Sequence, residues 1–359
     1  MFRVQVFPES ALHMKTLVSA YIKRHLTYLF ILLSASSVLG ETTMSRPVTI
    51  DAHHGTHDAF VACLCGILQS WDREADYAYV SGLAGVAFSP VYDEDEDCRA
   101  WWMEGGNDIR LDFLGLALGF TVETVRIPDA FDDGKPYDSL DDMPPPRADH
   151  FRKLKAALDR GDAVLVPTWP SWSILTGWDE DMTQLPFETV PGLGDLVSRA
   201  WPPNRTGLAH ILSPAEPSLS RDDAIRQALV FGASIADGTF HTKQRFHYGG
   251  RLYEAAAKRL DHDPFCEPCG DKSWSCAIRT LYRIAGTAGG AADFLEQVGL
   301  PAEAAPYWEI QTTASQYKSD RFESDWNDPR FMYDLKQTFH QLHRLHAEAS
   351  TALANSRSE

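Results

Sequence analysis

Lys153 to Asp179, KLKAALDRGDAVLVPTWPSWSILTGWD, is the most informative segment of the chain. It opens inside an amphipathic helix, His150 to Arg160, whose apolar positions recur at helical spacing and which Gly161 stops. Asp162 to Trp169 and Ser173 to Trp178 follow as two apolar runs rich in β-branched and aromatic residues. With Pro170 between them they read as paired strands. Working outward, Phe60 to Trp71 (FVACLCGILQSW) has helical length and few polar residues, the pattern of a buried helix. Ser81 to Phe88 (SGLAGVAF) is broken by glycines and reads as a turn. Ile109 to Leu118 is a second helix closed by Gly119, and Phe120 to Ile127 alternates like a strand. This order of elements predicts α+β layers rather than a doubly wound sheet.

Beyond Asp179 the pattern changes. A segment rich in Pro and Gly, Leu185 to Thr206, reads as a loop, and 185–215 is expected to link an α/β core over 48–184 to a mainly helical region over 216–355. In that region Ser220 is placed to cap a helix over Arg221 to Ala236 whose first turn carries Asp222 and Asp223. Further helices are expected over Gly250 to Leu260, Trp274 to Val298 and Arg330 to Ala354. The last shows an apolar stripe at Phe331, Leu335, Phe339, Leu342 and Leu345. Gly286 to Gly290 (GTAGG) lies within a helical pattern and follows no strand, so it does not read as a phosphate loop.

The formal net charge of −17 and the lack of any Lys/Arg cluster exclude a nucleic-acid groove. The acid is concentrated in Asp93–Asp97 and in Asp129 to Asp142. Neither segment has the spaced oxygen ligands and central glycine of an EF-hand loop, and both read as solvated. At the start of the chain Lys15, Lys23 and Arg24 precede the apolar run Leu26 to Leu39, and Val38 and Gly40 follow the small-residue rule of a signal-peptidase site. Residues 1–40 therefore read as an export signal, too short for a comfortable membrane span, which leaves no stable span after its removal. The alternative is a cytoplasmic protein that starts at Met44.

The elements quoted above resemble a papain-like family, that of the butirosin-biosynthesis acyltransferase N-terminal domain, and also the double-glycine leader peptidases. The resemblance rests on the helix after His57, on Ser81 to Phe88, on Asp162 to Pro167 in the place of a "GxPVxV" strand, and on Gly177-Trp178-Asp179 in the place of a "GYD"-like turn. It implies a papain-like cysteine-peptidase fold with an appended C-terminal helical region. It also implies a catalytic thiolate at a helix N-terminus facing a histidine on a strand. Matched by motif, those two places hold Asp58 or Ala59 and Ser171 or Trp172. The residues that carry the chemistry in the family are absent from both.

Several arrangements compete for the site. Cys63 or Cys65 would serve as nucleophile after a one-turn shift, with His57, His54 or His53 as base, whereas buried core cysteines are the simpler reading. The run His53-His54-Gly55-Thr56-His57 would suit acid–base work or a metal, against a plain polar helix entry. Asp58 and Asp179 would form a carboxylate pair if they met across a cleft. Trp172, Ser173 and Trp178 would line that cleft, against the plainer reading of core tryptophans. Separately, His262, Cys266, Cys269 and Cys276 carry zinc-ligand residue types at a compact spacing, with a disulfide or free thiols as alternatives. No other cofactor is implied. His340, His343 and His346, at three-residue steps, read as a solvated helix face. The expectation is a pseudoenzyme that binds a peptide or small-molecule ligand. The alternatives are an active cysteine amidohydrolase or acyltransferase, and a structural or interaction protein.

Overall fold

The computed structural model describes residues 58–93, 110–127, 140–168, 171–175, 177, 185–189, 200–201, 208–240, 246–262, 265–266, 271–317 and 329–356, all within one compact unit, Met44–Glu359. The first helix, α1 (Ala59–Ser70), is buried from Ala59 through Leu68. It starts at Asp58, whose extended backbone and side chain, accepting from the Val61 N–H, form an N-cap. α2 (Tyr77–Ala84) is capped in the same way by Asp76 and runs into a 3-10 turn at Val86–Phe88. The glycines at 82 and 85 had suggested a turn over Ser81 to Phe88, but Gly82 sits inside α2. A Cβ there would lie 2.1 Å from the Phe294 ring, so this glycine serves close packing rather than chain reversal. Gly85, at φ 78°, does end the helix in the left-handed conformation that glycine adopts without strain.

After β1 (Tyr92–Asp93), α3 (Leu111–Leu118) ends at Gly119, also left-handed, and the chain enters β2 (Phe120–Arg126). The guanidinium of Arg73 donates to the Leu118, Gly119 and Ala215 carbonyls, tying the end of α3 to Ala215, whose own N–H donates to the Gly119 carbonyl. α4 (Pro145–Asp159) starts five residues before the expected His150, because Pro145 and Pro146 occupy first-turn positions whose N–H groups have no helical partner. It is followed by the hairpin of β3 (Ala163–Thr168) and β4 (Ser171–Leu175), in register from Val164↔Leu175 to Thr168↔Ser171.

The segment expected as a linker, 185–215, supplies three strands: β5 (Leu185–Thr189), β6 (Ala200–Trp201) and β7 (Leu208–Pro214). Its proline and glycine content hid these strands. The resulting sheet has the order β2-β7-β3-β4-β5-β6, and every pair in it is antiparallel. β7 pairs with β2 over seven residues and with β3 over three, which makes it an interior strand beside the β2 edge.

The two faces of the sheet bury different layers. Val164, Val166, Leu175, Ala209 and Ile211 pack with Phe151, Leu154 and Leu158 of α4. Leu165, Trp172, Ile174 and Leu212 pack on the other side in one continuous core with α1, α2 and the helical half. That half consists of α5 (Arg221–Ala236), the short β8 (Phe246–His247) paired with β1, α6 (Gly250–His262), a hairpin of β9 (Phe265–Cys266) and β10 (Asp271–Lys272), α7 (Ser273–Gln297), α8 (Pro301–Ala314) and α9 (Pro329–Asn355). The architecture is α+β, mostly helical, with this antiparallel sheet and C-terminal helices. α7 contains Gly286 to Gly290, and a Cβ on Gly289 would meet the Gln311 side chain at 2.5 Å, so this glycine admits α8 closely. Among the described residues no helix is long and apolar enough to cross a membrane.

Candidate functional site

The residues that the family resemblance brings into play meet where α1 begins against the sheet. Asp58 is half-buried there. Its main-chain N–H donates to the Tyr77 hydroxyl at 3.1 Å and its carboxylate accepts from Val61 N–H at 3.0 Å. Burial pushes its carboxyl up to about 6, against the opposing effect of the Val61 and Phe60 amides. Two residues on, Phe60 is fully buried and meets the Trp172 indole edge-on at 5.4 Å. Trp172 stacks in turn on His210 of β7, 5.8 Å away with 28° between the rings. Trp172 is thus the hinge of an aromatic row running from the helix start across the sheet.

The linker expected over 185–215 covers Leu208–Pro214 and with it His210. The signal was present. In LAHILSP the alternation sends Ala209 and Ile211 to one face and His210 and Leu212 to the other. The imidazole is buried, at 3% exposure, and its Nδ1 lies 2.9 Å from Thr124 Oγ1 on β2, its cross-strand partner. Its Nε2 is buried without a hydrogen-bond partner. Burial, helped by Arg126, lowers the ring to about 4 and keeps it neutral near pH 7.

Cys63 and Cys65 lie one turn or more inside α1, at 0% and 7% exposure. Burial, with the Asp58 charge adding to it, drives the Cys63 thiol well above its ordinary value, and burial drives Cys65 up to about 12. Protonated and enclosed thiols have the character of packing residues rather than nucleophiles. Ser173 is also fully buried, but it alternates with Trp172 and points to the α4 face, so the two do not share one wall. His53, His54, His57, Trp178 and Asp179 lie outside the described residues.

The possible zinc ligands are only partly placed. His262 ends α6, Cys266 stands opposite Asp271 on β9, and Cys276 falls in the first turn of α7. Their side chains, and all of Cys269, lie outside the described residues. Among the described residues no three His, Cys, Asp or Glu side chains are placed to hold a metal ion.

Of the three histidines expected on a solvated face of α9, His340 is exposed but His346 is buried at 4% exposure. Its Nε2 lies 2.8 Å from the Ala236 carbonyl at the end of α5, and its Nδ1 lies 3.3 Å from the hydroxyl of the buried Tyr253. A carbonyl only accepts, so Nε2 carries the proton and Tyr253 donates to Nδ1. The expectation failed because His346 continues the apolar stripe one turn past Leu342 and meets two polar partners in the core.

A separate open groove of about 400 Å³ lies at the other end of α1, between Ser70–Trp71 and the α4–β3 turn at Arg160–Asp162. It does not reach the Asp58–Trp172 site. No protein-family model and no curated protein matches the chain.

Proposed function

We propose that residues 48–355 form a papain-like scaffold without the family's cysteine–histidine pair, and that it binds a peptide or small-molecule ligand where α1 meets the sheet. One observation carries the reading: the buried helix begins at an Asp N-cap, with tryptophan opposite it, while the cysteines of the same helix are sealed in the core. A carboxylate already engaged as an N-cap by Val61 N–H is a poor acyl acceptor, and indole moves no proton near neutral pH. The same residues suit binding. Asp58, half-buried at the start of α1, offers a carboxylate at the rim, over the enclosed Phe60–Trp172 pair. Export through residues 1–40 belongs to the same proposal.

Iodoacetamide labelling of the native full-length chain at pH 7, read by peptide mass spectrometry, tests it. Cys63 and Cys65 are expected to stay unmodified until the protein is denatured. Rapid labelling of Cys63 in the native state, abolished by His57→Ala, would instead establish an active cysteine amidohydrolase or acyltransferase.

A further inference from the structure

The open groove at the far end of α1 is bounded by the ends of two helices. Ser70 and Trp71 close α1 on one side, and Asp159 and Arg160 close α4 on the other. Both helices thus bring their C-terminal, partially negative ends to the same space of about 400 Å³. Its floor is apolar, made by the buried side chains of Leu158 and Ile174.

The charges around the groove are committed unevenly. Lys155 is tied to Asp159 at 2.7 Å, and Arg73 donates to three carbonyls. Arg160 donates twice to Asp162, from Nε at 3.1 Å and from a terminal nitrogen at 2.8 Å, and both bonds land on Oδ2. The Asp162 side chain is only 10% exposed, whereas that of Arg160 is 59% exposed. Among the described residues no donor reaches Asp162 Oδ1. A carboxylate oxygen enclosed in the groove wall, without a donor and beside two helix C-termini, is the complement of a cation. Trp71 adds the other half of such a site, because an indole face attracts cations and also covers apolar surface. It already lies under the Arg73 guanidinium, 6.0 Å from the ring centroid.

We propose that this groove is a binding site for a small organic cation, whose ammonium group donates to Asp162 Oδ1 while its carbon part lies on Trp71, Leu158 and Ile174. A primary ammonium fits better than a quaternary one, because it brings N–H donors to the carboxylate oxygen. An anion is opposed by both helix ends and both carboxylates, and a neutral ligand makes no ionic bond with Oδ1. The site is separate from the α1–sheet site, and neither reading depends on the other.

Proton–nitrogen NMR on the full-length chain tests it, with the Trp71 indole signal assigned from its loss in Trp71→Phe. Benzylammonium is the probe, and benzyl alcohol and benzoate are controls of similar size. The Trp71 indole and Asp162 amide signals are expected to move saturably with benzylammonium and to stay fixed with the other two. Asp162→Asn should weaken binding about tenfold, which corresponds to about 1.4 kcal/mol. Arg160→Ala should tighten it about threefold, by freeing Oδ2 and removing a competing cation. Arg160 is exposed, so this second variant decides the question even where Asp162→Asn does not fold. Benzoate binding that Arg160→Ala abolishes would make the groove an anion site and overturn the proposal. Equal shifts with all three compounds would show an apolar groove without charge selection, and no shift with any of them would show no site at all. Either result overturns it, as does benzylammonium binding that both variants leave unchanged.

Discussion

The sheet half and the helical half each bury an imidazole, His210 and His346, and they treat it in opposite ways. In the helical half both ring nitrogens of His346 are engaged, by the Tyr253 hydroxyl and the Ala236 carbonyl, so the residue ties α9 to α5 and α6. In the sheet half Thr124 holds one nitrogen of His210 and the other has no partner. Both rings are kept neutral mainly by burial. A satisfied buried polar group stabilises its surroundings, whereas an unsatisfied one costs stability. The contrast separates a fully tied histidine from one held at a single nitrogen, without any appeal to relatives.

The largest effect should come from cutting the satisfied side. His346→Leu leaves the Tyr253 hydroxyl and the Ala236 carbonyl buried and unpaired, and should lower unfolding stability by about 3 kcal/mol, read from urea midpoints. His346→Gln keeps a donor for Ala236 and should lose less. Equal losses in the two variants would mean that packing, not hydrogen bonding, holds this junction.

Acid acts on both halves together. The folded-state values of His150, His210 and His346 lie below the ordinary histidine value of 6.5, with His150 and His210 near 4. Each therefore contributes stability that is full above about pH 6.5 and lost as pH falls toward the folded value, at up to about 1.4 kcal/mol per pH unit. Asp58 opposes them. Its folded value is raised from 3.8 to about 6, so its contribution is full below 3.8 and lost as pH rises through 6. Asp58→Asn keeps the N-cap and removes this opposing term, so stability should fall more steeply between pH 6 and pH 4 than in the parent protein. Parallel pH profiles of the urea midpoint would show that the Asp58 carboxyl is not shifted.

The smallest effect should be His210→Leu, which removes an unpaired nitrogen and leaves Thr124 on the exposed edge strand free to turn to water. Stability should change by less than about 1 kcal/mol in either direction. A loss above about 2 kcal/mol would show that Nε2 has a structural partner in the native protein, and the contrast with His346 would disappear.

Much of this architecture was legible in the chain because it is local. The buried run FVACLCGILQSW, the Gly119 and Gly161 stops, the Ser220 cap and the hairpin around Pro170 each depend on residues a few positions apart, and the structure has each in place with boundaries shifted by a few residues. The stripe in α9 likewise gave the buried positions Leu335, Phe339 and Leu342. What stayed hidden is long-range. Three strands passed for a linker because β5, β6 and β7 acquire their pairing partners only in the sheet. The helix α8 went unread, and Gly82 looked like a turn until Phe294 was packed against it.

The chain alone states that Asp58 and Ala59 stand where α1 begins and that Ser171 and Trp172 open the strand β4. Those statements are about identity at a position, and identity needs no fold. Which histidine lies on the α1 side of the sheet follows from packing, because Thr124 and His210 stand 86 residues apart and meet through strand pairing. The same holds for His346, whose partners lie 93 and 110 residues away. Periodicity tells which side of an element is buried, but whether a polar group finds a partner there is settled by packing between distant segments.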